Sequence, residues 1–229
     1  MIALPFDTVA FDLDGTLLDT APDLAAALNH TLGVLGRPGV DPSSVRKLVG
    51  HGARALLRRG LAVTGDAPEE LVEQGFPLFL DFYGQNICKG TTTFPGVEQA
   101  LDRLDAAGIR LALCTNKPEG LTLRLLSALG WSARFHSVVG GDTLPTRKPD
   151  PAPLREAVAR AGGRRYAFVG DSIVDADTAR AAGVPFVAVR FGYSDRPADE
   201  LGAGAVIDHF DTLIPTLQAI GRRPSRRSA

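Results

Sequence analysis

The feature that most restricts what this chain can fold into is an alternation. Short apolar, β-prone runs recur between amphipathic helical stretches, and the runs stop at glycine or at polar clusters. The first, Thr8-Val9-Ala10-Phe11, is broken by Gly15. Ile109 to Leu113, Val138-Val139, Tyr166 to Val169, Pro185 to Val189 and Ala205 to Ile207 share its character. Between them, helices are expected from about Val97 to Ala107, from Pro118 to Gly130, after Pro151, up to Gly183, and from Leu213 to Ile220. Runs that are apolar at consecutive positions are buried on both faces, and helical connections make neighbouring strands parallel. The expected fold class is therefore α/β, a parallel sheet with helices on both faces.

One segment departs from the alternation. From about Leu17 to Ile87, leucines and alanines recur at helical spacing: Leu24, Ala27, Leu28 and Leu32, then Leu48, Leu56 and Leu57, then Leu71, Leu78 and Phe82. Pro38-Gly39, Pro42 and Gly65-Asp66 punctuate them, and no strand pattern is visible. Falling after the first strand, this block reads as an inserted helical cap. The expected division is a core of residues 1–16 and 88–221, a cap of 17–87, and a disordered basic tail of 222–229 with four arginines. A chain of 229 residues, 45% hydrophobic, can build such a core without disulfides.

Charge and cysteine content exclude several classes of function. The formal net charge of -1 creates no overall field for nucleic acid or an anionic membrane, so affinity for an anionic ligand must be local. Cys88 and Cys114 match no zinc or redox spacing and read as two buried thiols. No signal-peptide pattern and no apolar stretch of membrane-spanning length is present, so a cytoplasmic protein is expected.

Where the polar clusters fall is more informative. Ligands of open α/β sheets bind at the carboxyl ends of the strands. Asp12-Leu13-Asp14-Gly15-Thr16, Thr115-Asn116-Lys117 and Gly170-Asp171-Ser172 (continuing to Asp175) follow three of the expected strands, and Arg147-Lys148-Pro149 precedes a helix. Asp12 and Asp14, two apart, are expected on one side of an extended segment. Four carboxylates against Lys148 leave a formal -3, and oxygen-only ligands favour Mg²⁺. The four histidines are scattered and suggest no zinc site. Each fragment alone also has a plain structural reading: a turn, a helix cap, a surface lysine or a common loop. Their joint occurrence at the strand ends carries the functional reading.

In these motifs the sequence resembles the haloacid dehalogenase superfamily, and within it the phosphoglycolate phosphatases. The motifs are Asp12-Leu13-Asp14-Gly15-Thr16 with its extension Asp19-Thr20-Ala21-Pro22-Asp23-Leu24, then Cys114-Thr115-Asn116-Lys117-Pro118, Lys148-Pro149-Asp150-Pro151, and Val169-Gly170-Asp171-Ser172-Ile173-Val174-Asp175. Val49-Gly50-His51-Gly52-Ala53 adds a weaker signal from the cap. The resemblance implies a Rossmann-like core with an α-helical cap and an Mg²⁺-dependent phosphatase working through an aspartyl phosphate. It implies Asp12 as nucleophile and metal ligand, and Asp14 as general acid/base with its main-chain carbonyl on the metal. Asp171 is then a ligand, Asp175 supports the metal's surroundings, Thr115 and Asn116 hold phosphoryl oxygens, and Lys148 neutralises charge. The implied partner is a small phosphorylated metabolite, 2-phosphoglycolate first, with no nucleic acid or membrane and a monomer or homodimer as assembly. The alternatives are a sugar phosphomutase, which shares all four motifs, and a phosphatase for another small phosphometabolite. His51, Arg54 and Lys47 are candidates for substrate selection from the cap, or only solvate a helix.

Overall fold

A computed structural model of the chain describes residues 4–194 and 196–221; the expected basic tail lies outside the described residues. In chain order the elements are β1 (Thr8–Phe11), β2 (Leu18–Asp19), α1 (Ala21–Val34), α2 (Pro42–Val45), α3 (Ala53–Thr64), α4 (Glu69–Gln85), β3 (Thr92–Thr93), α5 (Val97–Ala106), β4 (Arg110–Cys114), α6 (Glu119–Ala128), β5 (Ser137–Val139), α7 (Ala152–Arg160), β6 (Tyr166–Gly170), α8 (Ile173–Ala182), β7 (Phe186–Val189), β8 (Ala205–Ile207) and α9 (Leu213–Ile220).

Six strands form one parallel sheet in the order β5-β4-β1-β6-β7-β8. Period two is visible on both faces. Val9, Phe11, Leu111, Leu113, Val169, Val187 and Val189 point to the side covered by α5, α6 and α9. Ala10, Ala112, Cys114, Phe168, Phe186 and Ala188 point to the side covered by α7 and α8. The strand β1 is central: Phe11 is in register with Leu113 of β4 and with Val169 of β6. Asp12, Cys114 and Gly170 therefore stand level, and the polar clusters after these three strands emerge side by side.

The helices α1 to α4 have their own core, in which Leu28, Leu32, Leu57, Leu61, Val72, Phe79 and Tyr83 are buried. The buried stripe of α4 runs through Val72, Gly75, Phe79 and Tyr83. The expected Leu71, Leu78 and Phe82 stand beside that stripe and are only half-buried. Two helical rows one residue apart both satisfy 3.6-residue spacing; Gly75 selects this one, because its missing Cβ admits Leu35 and Leu57 at about 3 Å. Leu48 is separated from Leu56 and Leu57 by the break at Gly50-His51-Gly52 and belongs to a short 3₁₀ turn.

The expectation of no strand between Leu17 and Ile87 is corrected by β2, which pairs antiparallel with β3 (Leu18 with Thr93, Asp19 with Thr92). Two-residue strands are too short to show a period. This ribbon holds the outgoing and returning chain together, and Asp23 fastens it further by accepting from the Gly90 and Thr91 amides at 2.6 and 3.0 Å and from the Thr91 hydroxyl at 2.6 Å. Cys88 is likewise only half-buried, although Cys114 is buried as expected. Among the described residues no helix is long and apolar enough to cross a membrane.

The loops beyond β4 and β5 touch through backbone. The Gly141 amide donates to the Lys117 carbonyl at 2.8 Å, and a Cβ on Gly141 would stand 2.4 Å from the Asn116 carbonyl oxygen. Gly141→Ala is therefore expected to lower stability by about 1–3 kcal/mol, measured from the urea midpoint; an unchanged midpoint would mean these loops have room to part.

Candidate active site

Beyond the end of β1, three buried carboxylates meet. Oxygens of Asp12, Asp171 and Asp175 all lie within 4.8 Å of one another. Asp12 follows the strand directly, its amide donating to the Val169 carbonyl at 2.9 Å, so its side chain is placed by the sheet itself. Asp171 and Asp175 flank the start of α8. Ser172 caps that helix by accepting from the Asp175 amide, and Asp175 Oδ2 accepts in return from the Asp171 and Ser172 amides and the Ser172 hydroxyl. Its Oδ1 accepts from Lys148 Nζ at 2.6 Å. Asp175 thus has its bonding capacity taken up and orients its neighbours.

Lys148 is buried and bridges two acids: Nζ lies 2.9 Å from Asp12 Oδ1 and 2.6 Å from Asp175 Oδ1. The contact with Asp12 is an ion pair without good hydrogen-bond direction, and Asp12 Oδ1 is otherwise unpartnered. Asp171 is held by the Thr16 hydroxyl (2.9 Å) and the Tyr193 amide (2.7 Å).

The carboxyl of Asp12 is pushed up to about 7, first by burial and then by the charges of Asp175 and Asp14, with Lys148 opposing. Asp171 is pushed well above the usual carboxylate range by burial and by Asp175 and Asp12. One lysine does not balance this cluster. Hard, buried carboxylate oxygens with unspent capacity on Asp12 and Asp171 are a donor set that fits a divalent cation such as Mg²⁺.

Asp14 is in different surroundings. Its carboxylate accepts from the Thr20 hydroxyl at 2.7 Å and from Lys117 Nζ at 2.8 and 3.0 Å. Asp12 and Asp14 line one cavity, as their spacing suggests, but only Asp12 joins the three-carboxylate cluster. The expected balance of -3 is corrected by Lys117, which is 5% exposed and packs over the Tyr83 ring, 4.6 Å from its centroid. Four carboxylates against two lysines leave -2.

Thr115 and Asn116 border the same cavity. The Asn116 side-chain Nδ2 donates to the Lys148 carbonyl at 3.1 Å, and its Oδ1 is buried without a hydrogen-bond partner. The structure does not bring the cap candidates there. Arg54 is ion-paired to Glu73 and lies over Phe76, 4.2 Å from the ring centroid. His51 and Lys47 border a second, smaller pocket with Arg59 and Tyr193. Sequence reasoning assigned no role to Lys117, although its place after a strand end, three residues beyond Cys114, was the available signal. Thr16, Thr20 and Tyr193 carried no comparable one.

With this geometry, known proteins can be compared. The sequence model of the haloacid dehalogenase-like hydrolases matches residues 9–189. The chain belongs to the haloacid dehalogenase-like hydrolase family. It is 47% identical over 214 residues to the phosphoglycolate phosphatase of Mesorhizobium japonicum, covering 91% of this chain and 93% of that one. It is also 47% identical over 208 residues to the phosphoglycolate phosphatase of Caulobacter vibrioides, covering 89% and 87%. A crystal structure of a predicted phosphoglycolate phosphatase from Haemophilus somnus superposes with a TM-score of 0.87 at 31% identity, covering 93% of this chain and 99% of the other. The family's fold is the parallel sheet with surrounding helices seen here, and the chain is a phosphoric monoester hydrolase.

The raised carboxyl of Asp12 gives a pH-dependent stability of definite sign. Its folded value of about 7 lies above the unfolded one, near 4, so its favourable contribution is complete below about 4 and is lost as pH rises through about 7. In metal-free protein, Asp12→Asn is expected to melt several degrees above the wild type at pH 8, with the gap closing towards pH 4. Added Mg²⁺ should raise the wild-type midpoint more than that of the variant. Parallel melting curves across the pH range would contradict this.

Proposed function

We propose that the enzyme hydrolyses 2-phosphoglycolate to glycolate and phosphate through a phosphorylated Asp12. The observation that carries the reading is the convergence of Asp12, Asp171 and Lys148 at the end of the central strand, with Asp14 facing the same cavity. The names of the relatives support the choice of substrate.

Phosphoryl transfer depends on positioning and on stabilising charge spread over the transferred oxygens. Asp12 attacks phosphorus, and Lys148, already 2.9 Å from it, offsets the charge of carboxylate and phosphate. Thr115 and the Asn116 amide hold phosphoryl oxygens. Asp14 protonates the departing glycolate alkoxide and, now ionised, takes a proton from the water that opens the aspartyl phosphate. Mg²⁺, held by Asp12, Asp171 and the Asp14 main-chain carbonyl, would supply the remaining positive charge. The helices α1 to α4 act as a cap, since Leu24, Leu56, Phe79 and Tyr83 form the cavity's outer wall and exclude water.

Asp12→Asn is expected to lower kcat by at least about 10³-fold, and Asp14→Asn to slow both steps, with labelled phosphate persisting longer on the protein. Removal of Mg²⁺ by chelation should abolish turnover, and its return should restore it. The substrate is tested with a panel of phosphate monoesters: kcat/KM is expected to be highest for 2-phosphoglycolate. A preference for hexose phosphates or nucleotides by orders of magnitude would refute the substrate and leave the chemistry standing.

A further inference from the structure

We propose that Lys117 is the residue that selects the substrate's leaving group, pairing with its carboxylate beside Asp14; the inference rests on the substrate reading above. Among the described residues lining the cavity, Lys117 is the only cationic one. The rest of the lining is largely apolar and includes Leu24, Leu56, Phe79 and Leu121, with Tyr83 beside Lys117 itself. A carboxylate brought against such a wall loses its hydration, at a cost of several kcal/mol unless a cation meets it. No described basic residue of the helical insertion lines this cavity: Arg54 is turned to Glu73, and His51, Lys47 and Arg59 border the other pocket.

Connectivity makes the pairing possible. In 2-phosphoglycolate the carboxylate carbon is two bonds from the bridging oxygen. Asp14, as proton donor, must touch that oxygen, and Lys117 Nζ lies 2.8 and 3.0 Å from the two oxygens of Asp14. A group against Asp14 is therefore within reach of an anion two bonds from the atom Asp14 protonates.

Lys117 is also fixed in place, with its side chain 4% exposed and its ammonium over the Tyr83 ring. An ammonium has three donors; two hydrogen bonds run to Asp14, and the third donor is left for a second carboxylate. The same chain shows the arrangement once already, in Lys148 between Asp12 and Asp175.

The experiment compares 2-phosphoglycolate with ethyl phosphate, which keeps the two carbons and lacks the carboxylate, on wild type, Lys117→Met and Lys117→Arg with Mg²⁺ present. Wild type is expected to prefer 2-phosphoglycolate in kcat/KM. Lys117→Met should lose on the order of 10² to 10³ more on that substrate than on ethyl phosphate. Lys117→Arg, which keeps the charge, should retain part of the preference.

An equal loss on both substrates would mean that Lys117 acts only through Asp14, overturning the inference while the substrate stands. A wild type indifferent to the carboxylate would overturn both. Should Lys117→Met fail to fold, the wild type supplies a second measurement: 3-phosphonopropionate should inhibit at least about tenfold more strongly than propylphosphonate, and equal inhibition would overturn the inference.

Discussion

The arrangement depends on the mutual repulsion of carboxylates that the sheet forces together. Asp12, Asp171 and Asp175 are buried where neighbouring strands end, and their positions follow from the register of β1 with β6. Two like charges about 4 Å apart repel by about 4 kcal/mol even at an effective dielectric of 20. Lys148 relieves part of this by standing between two of them, and backbone amides and hydroxyls relieve more at Asp175 and Asp171. What stays uncompensated falls on Asp171, which has no cation beside it among the described residues, and on Asp12, the residue from which chemistry is proposed. Local stability is given up there, and the apolar faces of the sheet maintain the fold around it.

Tyr193 connects this electrostatic centre to the helical insertion. Its amide donates to Asp171, and its hydroxyl donates to Asp19 at 2.6 Å and accepts from the Ala21 amide at 2.9 Å. This single side chain and its amide, in the loop that follows β7, therefore touch a carboxylate of the cluster, the β2 ribbon and the first turn of α1. Its ring and Asp171 also stand where a Cβ on Gly15 would be, at 2.8 and 2.4 Å, and Gly15 has φ +84°. The turn after Asp14 is thus sterically committed to glycine, and the position of the insertion is tied to the polar cluster through ordinary hydrogen bonds.

Much of this was legible in the sequence because it is periodic or punctuated. The strands β1, β4 and β6 are runs buried on both faces, ended by Asp, Thr or Gly, and the register of a parallel sheet then brings those ends together. Asp12, Asp14 and Asp171 could be placed for the same reason, whereas Lys148, before a helix, and Asp175, inside α8, are singled out only by the joint occurrence of the motifs. The ribbon β2/β3 could not, since two residues show no alternation. The choice between adjacent faces of α4 depended on Gly75 and the helices it meets. The direction of Asp14 depended on Lys117 and Thr20, whose approach follows from loop geometry and not from spacing along the chain.

The two faces of the sheet differ in the thickness of their filling. Below α7 and α8 the strands present Ala10, Ala112, Cys114 and Ala188 around Phe168 and Phe186, and the helices answer with Leu154, Ala157, Val158, Ala176 and Ala179. Small side chains let these helices settle low on the strands, and the loop carrying Lys148 leads into one while the Asp171 turn leads into the other. The Lys148 ammonium itself stands over one of the two large rings of this face, 5.4 Å from the Phe168 centroid. Added bulk on this face would be felt at the reaction centre as altered reach, even at positions remote from it. On the opposite face, filled by leucine, valine and phenylalanine, comparable changes of volume can be shared among longer and more adaptable side chains.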